Sequence, residues 1–106
     1  MPKYLAMCNY VGDGVAGLLK DGGSGRRQAA EQLISSVGGS VESMYYAFGE
    51  YDLFAILDMP DHASMTAVSL AAAASGAIEI TTVVLMSPEE VDEAVKKSPQ
   101  YRPPGQ

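Results

Sequence analysis

The segment "FGEYDLFAIL", residues 48–57, places five apolar residues in succession directly after a polar turn. A strand with one face in water alternates apolar and polar residues, because successive side chains point to opposite faces. The five are divided between the faces, with Leu53, Ala55 and Leu57 on one and Phe54 and Ile56 on the other. The pattern therefore predicts a strand over residues 53–58 that is shielded from water on both faces.

A first strand is predicted over residues 3–10, "KYLAMCNY". Its side chains also divide between two faces, with Leu5 and Met7 on one side. The other side carries Tyr4, Ala6, Cys8 and Tyr10.

Two helices are predicted next, separated by the glycine-rich "DGGSG" of residues 21–25. Asp13 is a suitable cap for the short first helix, and Ser24 is a suitable cap for the longer second one. Gly38 ends the second helix, since a left-handed residue there is favourable for glycine. One apolar stripe with helical spacing faces the core: Ala30, Leu33, Ile34 and Val37.

A hairpin is predicted after these helices. Its strands cover residues 40–48 and 53–58, and the "GEYD" turn of residues 49–52 joins them. We expect Gly49 to adopt a positive φ, which a β-branched side chain at this position would resist.

The chain continues with a helix, a strand and a last helix. Asp61 is a suitable cap for a helix over residues 62–75, and a strand over 77–86 follows. "SPEE", residues 87–90, has the capping-box pattern with proline at the first helical position, and it predicts a helix that reaches about Lys97.

The order of these elements is that of a ferredoxin-like α+β fold, βαββαβ with an extra C-terminal helix. In this fold a four-stranded antiparallel sheet carries both main helices on one face. Residues 1–106 are expected to form this single domain, with residues 98–106 as a tail. The other face of the sheet is left open, and an apolar face of that size is rarely exposed. We therefore expect a homodimer through the sheet face, a dimeric α+β barrel.

Composition and charge argue against several partners. The formal net charge of −6 disfavours nucleic acid, since neutralising phosphates requires a basic surface. The longest run of small apolar residues, Ala71–Ala74, is far too short for a membrane span, and no apolar segment follows a basic flank at the start of the chain. The single cysteine, Cys8, cannot form an internal disulfide. We expect a cytoplasmic protein with no nucleic-acid or membrane partner.

Three separated motifs resemble those of the bacterial GYD-domain proteins. They are "YYAF" followed by "GEYD" at residues 45–52, "LLKDGGSGRRQAAEQL" at 18–33, and "SPEEVDEAVKKSPQYRPPG" at 87–105. The family is named for a glycine, tyrosine and aspartate in succession, and in this chain Glu50 is inserted after the glycine. The resemblance covers essentially the whole chain. It implies a dimeric α+β barrel, a fold that small monooxygenases, isomerases and stress-responsive proteins also use, and it implies no particular activity.

Cationic side chains cluster at one point in the sequence. Lys20, Arg26 and Arg27 surround the run of glycines, whereas residues 28–95 contain eleven carboxylates and no lysine or arginine. Free amides at the start of a helix and guanidinium groups bind anions, so these cations and Ser24 are predicted to contact a carboxylate or phosphate ligand. The alternatives are a flexible loop with exposed arginines and an ion pair with a partner chain. The pattern of a nucleotide-binding phosphate loop is absent.

Aromatic residues near the "GEYD" turn are candidates for a pocket. Tyr10 and Phe48 are predicted ligand contacts, and Tyr46, Tyr51 and Asp52 are candidate catalytic residues that would transfer protons. Alternation along the strand places Tyr46 and Phe48 together. The alternative is that the aromatic side chains belong to the core or the dimer interface, and that Asp52 hydrogen-bonds the backbone of its turn.

The remaining candidates are Cys8 and His62. We predict that Cys8 is a buried, unreactive thiol rather than a nucleophile, and that His62 faces water. One cysteine and one histidine do not supply the three or four ligands of a zinc site, and no nicotinamide or flavin motif is present. No metal or cofactor is therefore predicted.

Two functions remain open. The first is a binding or accessory module for a small anionic metabolite. The second is a cofactor-free enzyme, similar to an isomerase or monooxygenase, that acts on a small enolisable or aromatic molecule. In the second, Tyr46, Tyr51 and Asp52 would transfer protons and Arg26 or Arg27 would hold the charge. The first is preferred, because no spacing forces a pair of titratable groups together.

Overall fold

The elements of the structure follow the predicted order. A computed structural model describes residues 1–106. Its elements are β1 (Lys3–Tyr10), α1 (Gly14–Ser36), β2 (Ser40–Tyr46), β3 (Leu53–Asp58), α2 (His62–Ala74), β4 (Ile78–Leu85) and α3 (Pro88–Val95).

The four strands form one antiparallel sheet in the order β2-β3-β1-β4. β1 lies between β3 and β4, so that Leu5 is opposite Ile56 on one side and Val83 on the other. β2 is the hairpin partner of β3, and a bulge interrupts their register between Val41 and Ser43. This topology confirms the predicted ferredoxin-like α+β fold with an additional C-terminal helix.

The two main helices cover one face of the sheet. The buried residues of the central strands are Tyr4, Ala6, Cys8 and Tyr10 of β1 and Leu53, Ala55 and Leu57 of β3. The core that they form also includes Ile34 of α1 and Met65 and Val68 of α2. The opposite face, here called the open face, carries half-buried apolar side chains of the same strands, Leu5, Met7, Phe54 and Ile56. β3 thus has apolar side chains on both faces, and the shielding of its second face from water stays a prediction.

The segment predicted as two helices consists of two helical parts that meet at a kink, and they are described here as one element, α1. α1 runs from Gly14 to Ser36, and only Gly22, with φ 73° and ψ 169°, departs from helical geometry. Asp13 stands at the N-cap but its side chain makes no capping hydrogen bond, and Ser24 lies inside the helix rather than at its start. The predicted interruption between two helices is therefore confirmed at Gly22, whereas neither Asp13 nor Ser24 caps a helix. No proline lies in this segment, so the kink is located at a glycine.

The turn between β2 and β3 has its left-handed residue at Phe48 rather than at Gly49. Phe48 has φ 58°, whereas Gly49 is not among the glycines with positive φ. A side chain added at Gly49 would meet no atom within 4 Å, so the strain expected at this position is absent. β2 also ends at Tyr46, two residues before its predicted end. The turn is closed by a 2.9 Å hydrogen bond from the N–H of Ala47 to the carbonyl oxygen of Asp52.

The caps predicted for the other two helices are present. The carboxylate of Asp61 accepts a 2.7 Å hydrogen bond from the N–H of Ser64 at the start of α2. Ser87 and Glu90 form the reciprocal hydrogen bonds of a capping box at the start of α3. α3 ends two residues before the predicted end.

α3 and the tail extend away from the rest of the chain. α3 has no buried residue, and the side chains of Val91 and Val95 are exposed. The molecule measures 57 Å along its longest axis against 32 Å and 23 Å along the others. Its radius of gyration is 17.0 Å, whereas a compact domain of this length has about 13 Å. The C-terminal segment therefore leaves most of the open face uncovered.

Candidate functional site

An apolar cavity of about 110 Å³ lies between the sheet and the two main helices. All four strands contribute to its wall, together with α1 and α2. Five wall residues are alanines, and their short side chains leave space between the layers: Ala6, Ala29, Ala30, Ala55 and Ala72. An apolar cavity of about 150 Å³ holds benzene, so this one admits a group no larger than about one aromatic ring.

Arg26 is the only charged residue in the cavity wall. It lies in α1 shortly after the break at Gly22, and its side chain is 30% exposed. Its Nη1 atom lies 3.4 Å from Oδ2 of Asp21, the residue before the break. The guanidinium group is therefore only partly neutralised and is available to a ligand.

Tyr10 stands beside Arg26 at the same end of the cavity. Burial raises the pKa of Tyr10 to about 12, with a further contribution from Tyr46 and a smaller opposing effect of the Arg26 guanidinium. The Tyr10 hydroxyl therefore keeps its proton at neutral pH. It can donate a hydrogen bond to an anion, but it cannot act as a base.

A second hollow, of about 240 Å³, adjoins the cavity at the start of α1. Asp13, Gly14 and Gly17 form one of its sides. Tyr10, Arg26 and Ile78 belong to the walls of both spaces. These three side chains therefore lie between the cavity and the hollow.

The structure separates the cations that are grouped in the sequence. Arg26 reaches the cavity, whereas Nε of Arg27 lies 3.3 Å from Oε1 of Glu31 on the exposed side of α1. Lys20 and Ser24 are also exposed and are not part of the cavity wall. The roles of Lys20, Ser24 and Arg27 as ligand contacts stay predictions, and they have no place in this cavity.

The structure does not bring Tyr46 and Tyr51 together. Tyr46 packs against the core on the helix side of the sheet, and its hydroxyl donates a 3.0 Å hydrogen bond to the carbonyl oxygen of Gly23. The ring of Tyr51 meets that of Phe54 edge to face at 5.9 Å. Because Phe54 belongs to the open face, the two tyrosines lie on opposite sides of the sheet.

Asp52 extends the pairing between β3 and β1 by one residue before the start of β3. Its Oδ2 atom accepts a 3.0 Å hydrogen bond from the N–H of Tyr10. Its own N–H donates to the carbonyl oxygen of Cys8 at 2.9 Å and to Oδ1 of Asn9 at 3.1 Å. The carboxylate therefore bonds the backbone of the neighbouring strand, rather than the backbone of its own turn.

Phe48 lies on the surface and not in the cavity. Its side chain is 65% exposed. Its ring stacks on that of Tyr46 with 6.2 Å between centroids and 8° between planes, so the proximity predicted for this pair is observed. Both rings border a shallow apolar hollow that Leu18 and Leu19 complete.

Cys8 and His62 have different surroundings. Cys8 is buried in the cavity wall, and burial raises the pKa of its thiol to about 11, so the thiol stays protonated at neutral pH. His62 is exposed, but its Nδ1 atom also contacts the hydroxyl of the buried Tyr4, which corrects the expectation that it faces only water. No group of three histidine, cysteine, aspartate or glutamate side chains is placed to hold a metal ion.

Helical spacing in the sequence indicates which of the predicted cations faces the cavity. Arg26 precedes Ala30 by four residues and Leu33 by seven, so it continues the apolar stripe of α1 toward the break. A cation on an otherwise apolar stripe indicates a charge that faces the interior. The role of Asp21, which contacts Arg26 across the break, has no comparable signal.

Comparisons with known proteins agree with the motifs of the chain. A family model, the GYD domain, matches residues 4–95. Comparison with curated proteins and with solved structures finds no match. None of the helices combines the length and the apolar character needed to cross a membrane. The match extends from β1 to the end of α3, and the chain therefore belongs to the GYD domain family.

Proposed function

We propose that this protein is a homodimeric binding module that holds a small carboxylate with an apolar body in the cavity beside Arg26. One observation carries the proposal: Arg26 is the single charged side chain in a wall that is otherwise apolar. Ligand sites combine apolar walls with a few polar groups that fix the orientation of the ligand. The carboxylate would therefore lie against Arg26, and the apolar body would lie among the alanines.

The chemistry of the cavity favours a monocarboxylate. A guanidinium group can form two parallel hydrogen bonds with one carboxylate, and the protonated hydroxyl of Tyr10 offers a further donor. A phosphate dianion would bring two negative charges to one partly neutralised cation. The size of the cavity limits the apolar body to about one ring or a short branched chain.

Binding without conversion is the function that the surroundings of the ligand support. A general base must lie within hydrogen-bond reach of the proton that it removes. The ionisable side chains in the cavity wall besides Arg26 are Cys8 and Tyr10, and burial raises the pKa of both further above neutral pH. The carboxylate of Asp52 is bonded to the N–H of Tyr10.

The test is calorimetric titration with benzoate and with its neutral analogue benzamide. We expect the wild-type protein to bind benzoate more tightly than benzamide. Arg26→Gln should weaken benzoate binding by about tenfold or more, since hydrogen bonds to charged groups contribute about 1.5–3 kcal/mol. Arg27→Gln is the matched control, because it removes the same charge from the neighbouring residue outside the cavity.

A second variant tests the position of the apolar body. Ala30→Leu places a larger side chain in the cavity and should abolish benzoate binding while Arg26 remains present. The proposal fails if benzamide binds as tightly as benzoate, or if Arg26→Gln and Arg27→Gln weaken benzoate binding equally.

The dimer of this proposal forms through the open face. The middle of this face carries apolar side chains from three strands, namely Leu5, Met7, Phe54, Ile56 and Val83. At one end Lys3 pairs with Glu42 and Asp58 of its own chain, at 2.5 Å and 2.7 Å, so each of these charges has a partner within the chain. A second copy would bury the apolar middle without leaving these charges unpaired.

Light scattering tests the dimer. Ile56→Asp places an unpaired carboxylate in the open face and should convert the dimer into a folded monomer or lower its solubility. Leu70→Asp is the matched control, since Leu70 is 66% exposed on α2, away from the open face. A mass of about 11 kDa for the wild-type protein over a wide concentration range would contradict the dimer.

A further inference from the structure

The break in α1 leaves its two parts connected by few contacts. Gly22 has φ 73° and ψ 169°, a backbone region that only glycine adopts readily. The hydroxyl of Tyr46 bonds the carbonyl oxygen of Gly23 on the C-terminal side of the break. The ion pair that crosses the break joins Asp21 on the N-terminal side to Arg26 on the C-terminal side.

The geometry of this ion pair leaves the guanidinium group incompletely satisfied. Its one contact with Asp21 runs from Nη1 of Arg26 to Oδ2 at 3.4 Å, and the other neighbour of the guanidinium group is the uncharged hydroxyl of Tyr10. Both side chains are partly exposed, at 30% and 42%, so the pair stabilises the protein only weakly. Asp21 reaches Arg26 across Gly25, where an added Cβ would lie 3.3 Å from Cβ of Asp21. The absence of a side chain at Gly25 thus provides the space for this contact.

We propose that Asp21 is a built-in competitor for the ligand, and that a bound carboxylate takes its place on Arg26. This inference rests on the proposed function. The two carboxylates compete for one guanidinium group, and a ligand that forms two parallel hydrogen bonds displaces a partner that forms one. Asp21 therefore sets the affinity threshold of the site, although it lies outside the cavity wall.

Displacement of Asp21 also changes α1. Once Arg26 binds the ligand, the N-terminal part of the helix loses its ion pair across the break. Its other contacts are at its start, where Gly14 lies against the backbone of Ala77, and at Leu18 and Leu19, which border the same hollow as Tyr46 and Phe48. Ligand binding should therefore loosen residues 15–21, and occupancy of the cavity is coupled to the mobility of this part of α1.

The test compares Asp21→Asn with Glu31→Gln by benzoate titration. Both substitutions remove one negative charge from α1, but Glu31 pairs with Arg27 instead of Arg26. We expect Asp21→Asn to bind benzoate about two- to fivefold more tightly than the wild-type protein, the range for a partly exposed ion pair. Glu31→Gln should bind as the wild-type protein does, and benzamide binding should be unchanged in both variants.

Amide hydrogen exchange distinguishes the displacement of Asp21 by the ligand from a simple effect of the lost negative charge on affinity. Benzoate should increase exchange in residues 15–21 of the wild-type protein, and Asp21→Asn should show that increase without ligand. The displacement is overturned if Asp21→Asn binds benzoate more tightly but hydrogen exchange in residues 15–21 is unchanged. It is also overturned if Asp21→Asn and the wild-type protein bind benzoate with equal affinity. If Arg26→Gln retains full benzoate binding, the proposed function itself fails, and the two failures are thus distinguishable.

Discussion

The hydroxyl of Tyr46 donates a 3.0 Å hydrogen bond to the carbonyl oxygen of Gly23, next to the break in α1. The Tyr46 ring also packs against Gly23, where an added Cβ would lie 3.4 Å from Cε2 of the ring. β2 therefore holds α1 at the point where the helix loses its regular geometry.

Tyr46→Phe removes this hydrogen bond and keeps the ring. We expect the free energy of unfolding to fall by about 1 kcal/mol or less, because the freed carbonyl group can bond to water. Urea unfolding measures the change. Tyr45→Phe is the control, since the Tyr45 side chain is 72% exposed and should tolerate the change. Equal effects of the two substitutions would show that the bond to Gly23 does not stabilise α1.

Gly14→Ala and Gly17→Ala should change stability in opposite directions. A Cβ at Gly14 would lie 2.0 Å from the carbonyl oxygen of Ala77, so the backbone must move at a cost of about 1–3 kcal/mol. At Gly17 an added Cβ meets no atom within 4 Å, and alanine favours the helix by up to about 1 kcal/mol. Urea midpoints of the two variants provide the measurement. Destabilisation by Gly17→Ala would show that the start of α1 is not helical.

Cys8 should make the protein less stable in alkaline solution. The pKa of the folded thiol is about 11, above its ordinary value of 9.0, because burial disfavours the thiolate. At pH values between 9.0 and about 11 the unfolded chain therefore binds fewer protons than the folded protein, and the free energy of unfolding falls as the pH rises through this range. The loss should reach about 1 kcal/mol at about pH 10.

Cys8→Ala is the control for this pH dependence. Alanine does not titrate, so stability should decline less between about pH 8 and about pH 10 in this variant than in the wild-type protein. The folded wild-type protein should also react slowly with a thiol reagent at neutral pH. Identical pH profiles for the two proteins would show that the thiol is accessible to water.

Asp52→Ala should destabilise the protein more than Asp52→Asn. Alanine leaves the N–H of Tyr10 without its 3.0 Å partner, at a cost of about 1–3 kcal/mol, whereas the amide oxygen of asparagine can still accept this bond. Thermal unfolding of the two variants measures the difference. If asparagine costs as much as alanine, the charge of Asp52 matters beyond the hydrogen bond, and a chemical role for this residue regains support.

The local features of the chain were readable from its sequence. The unbroken run from Leu53 to Leu57 predicted the strand β3, in which side-chain direction alternates between a buried and a half-buried face. Ser87 and Glu90 predicted the start of α3, since a capping box involves four consecutive residues. The order of such elements was sufficient for the ferredoxin-like fold, because few topologies accommodate it.

Predictions that depend on one backbone angle were less successful. Glycines in residues 21–25 indicated an interruption of α1, but not that Gly22 alone would leave the helical region. In the β2–β3 turn, Phe48 adopts the positive φ expected of Gly49. Glycine permits such angles but does not require them. The positive φ of Phe48 occurs together with the stacking of its ring on Tyr46.

Helical spacing is sufficient to place Arg26 on the same side of α1 as Ala30 and Leu33. That this side faces a cavity rather than a filled core follows only from the packing of the whole domain. The volume between sheet and helices depends on how closely α1 and α2 approach the sheet, and all six elements that form the wall set that distance together. No local sequence pattern predicts this volume, because it depends on the packing of side chains that are distant in the sequence.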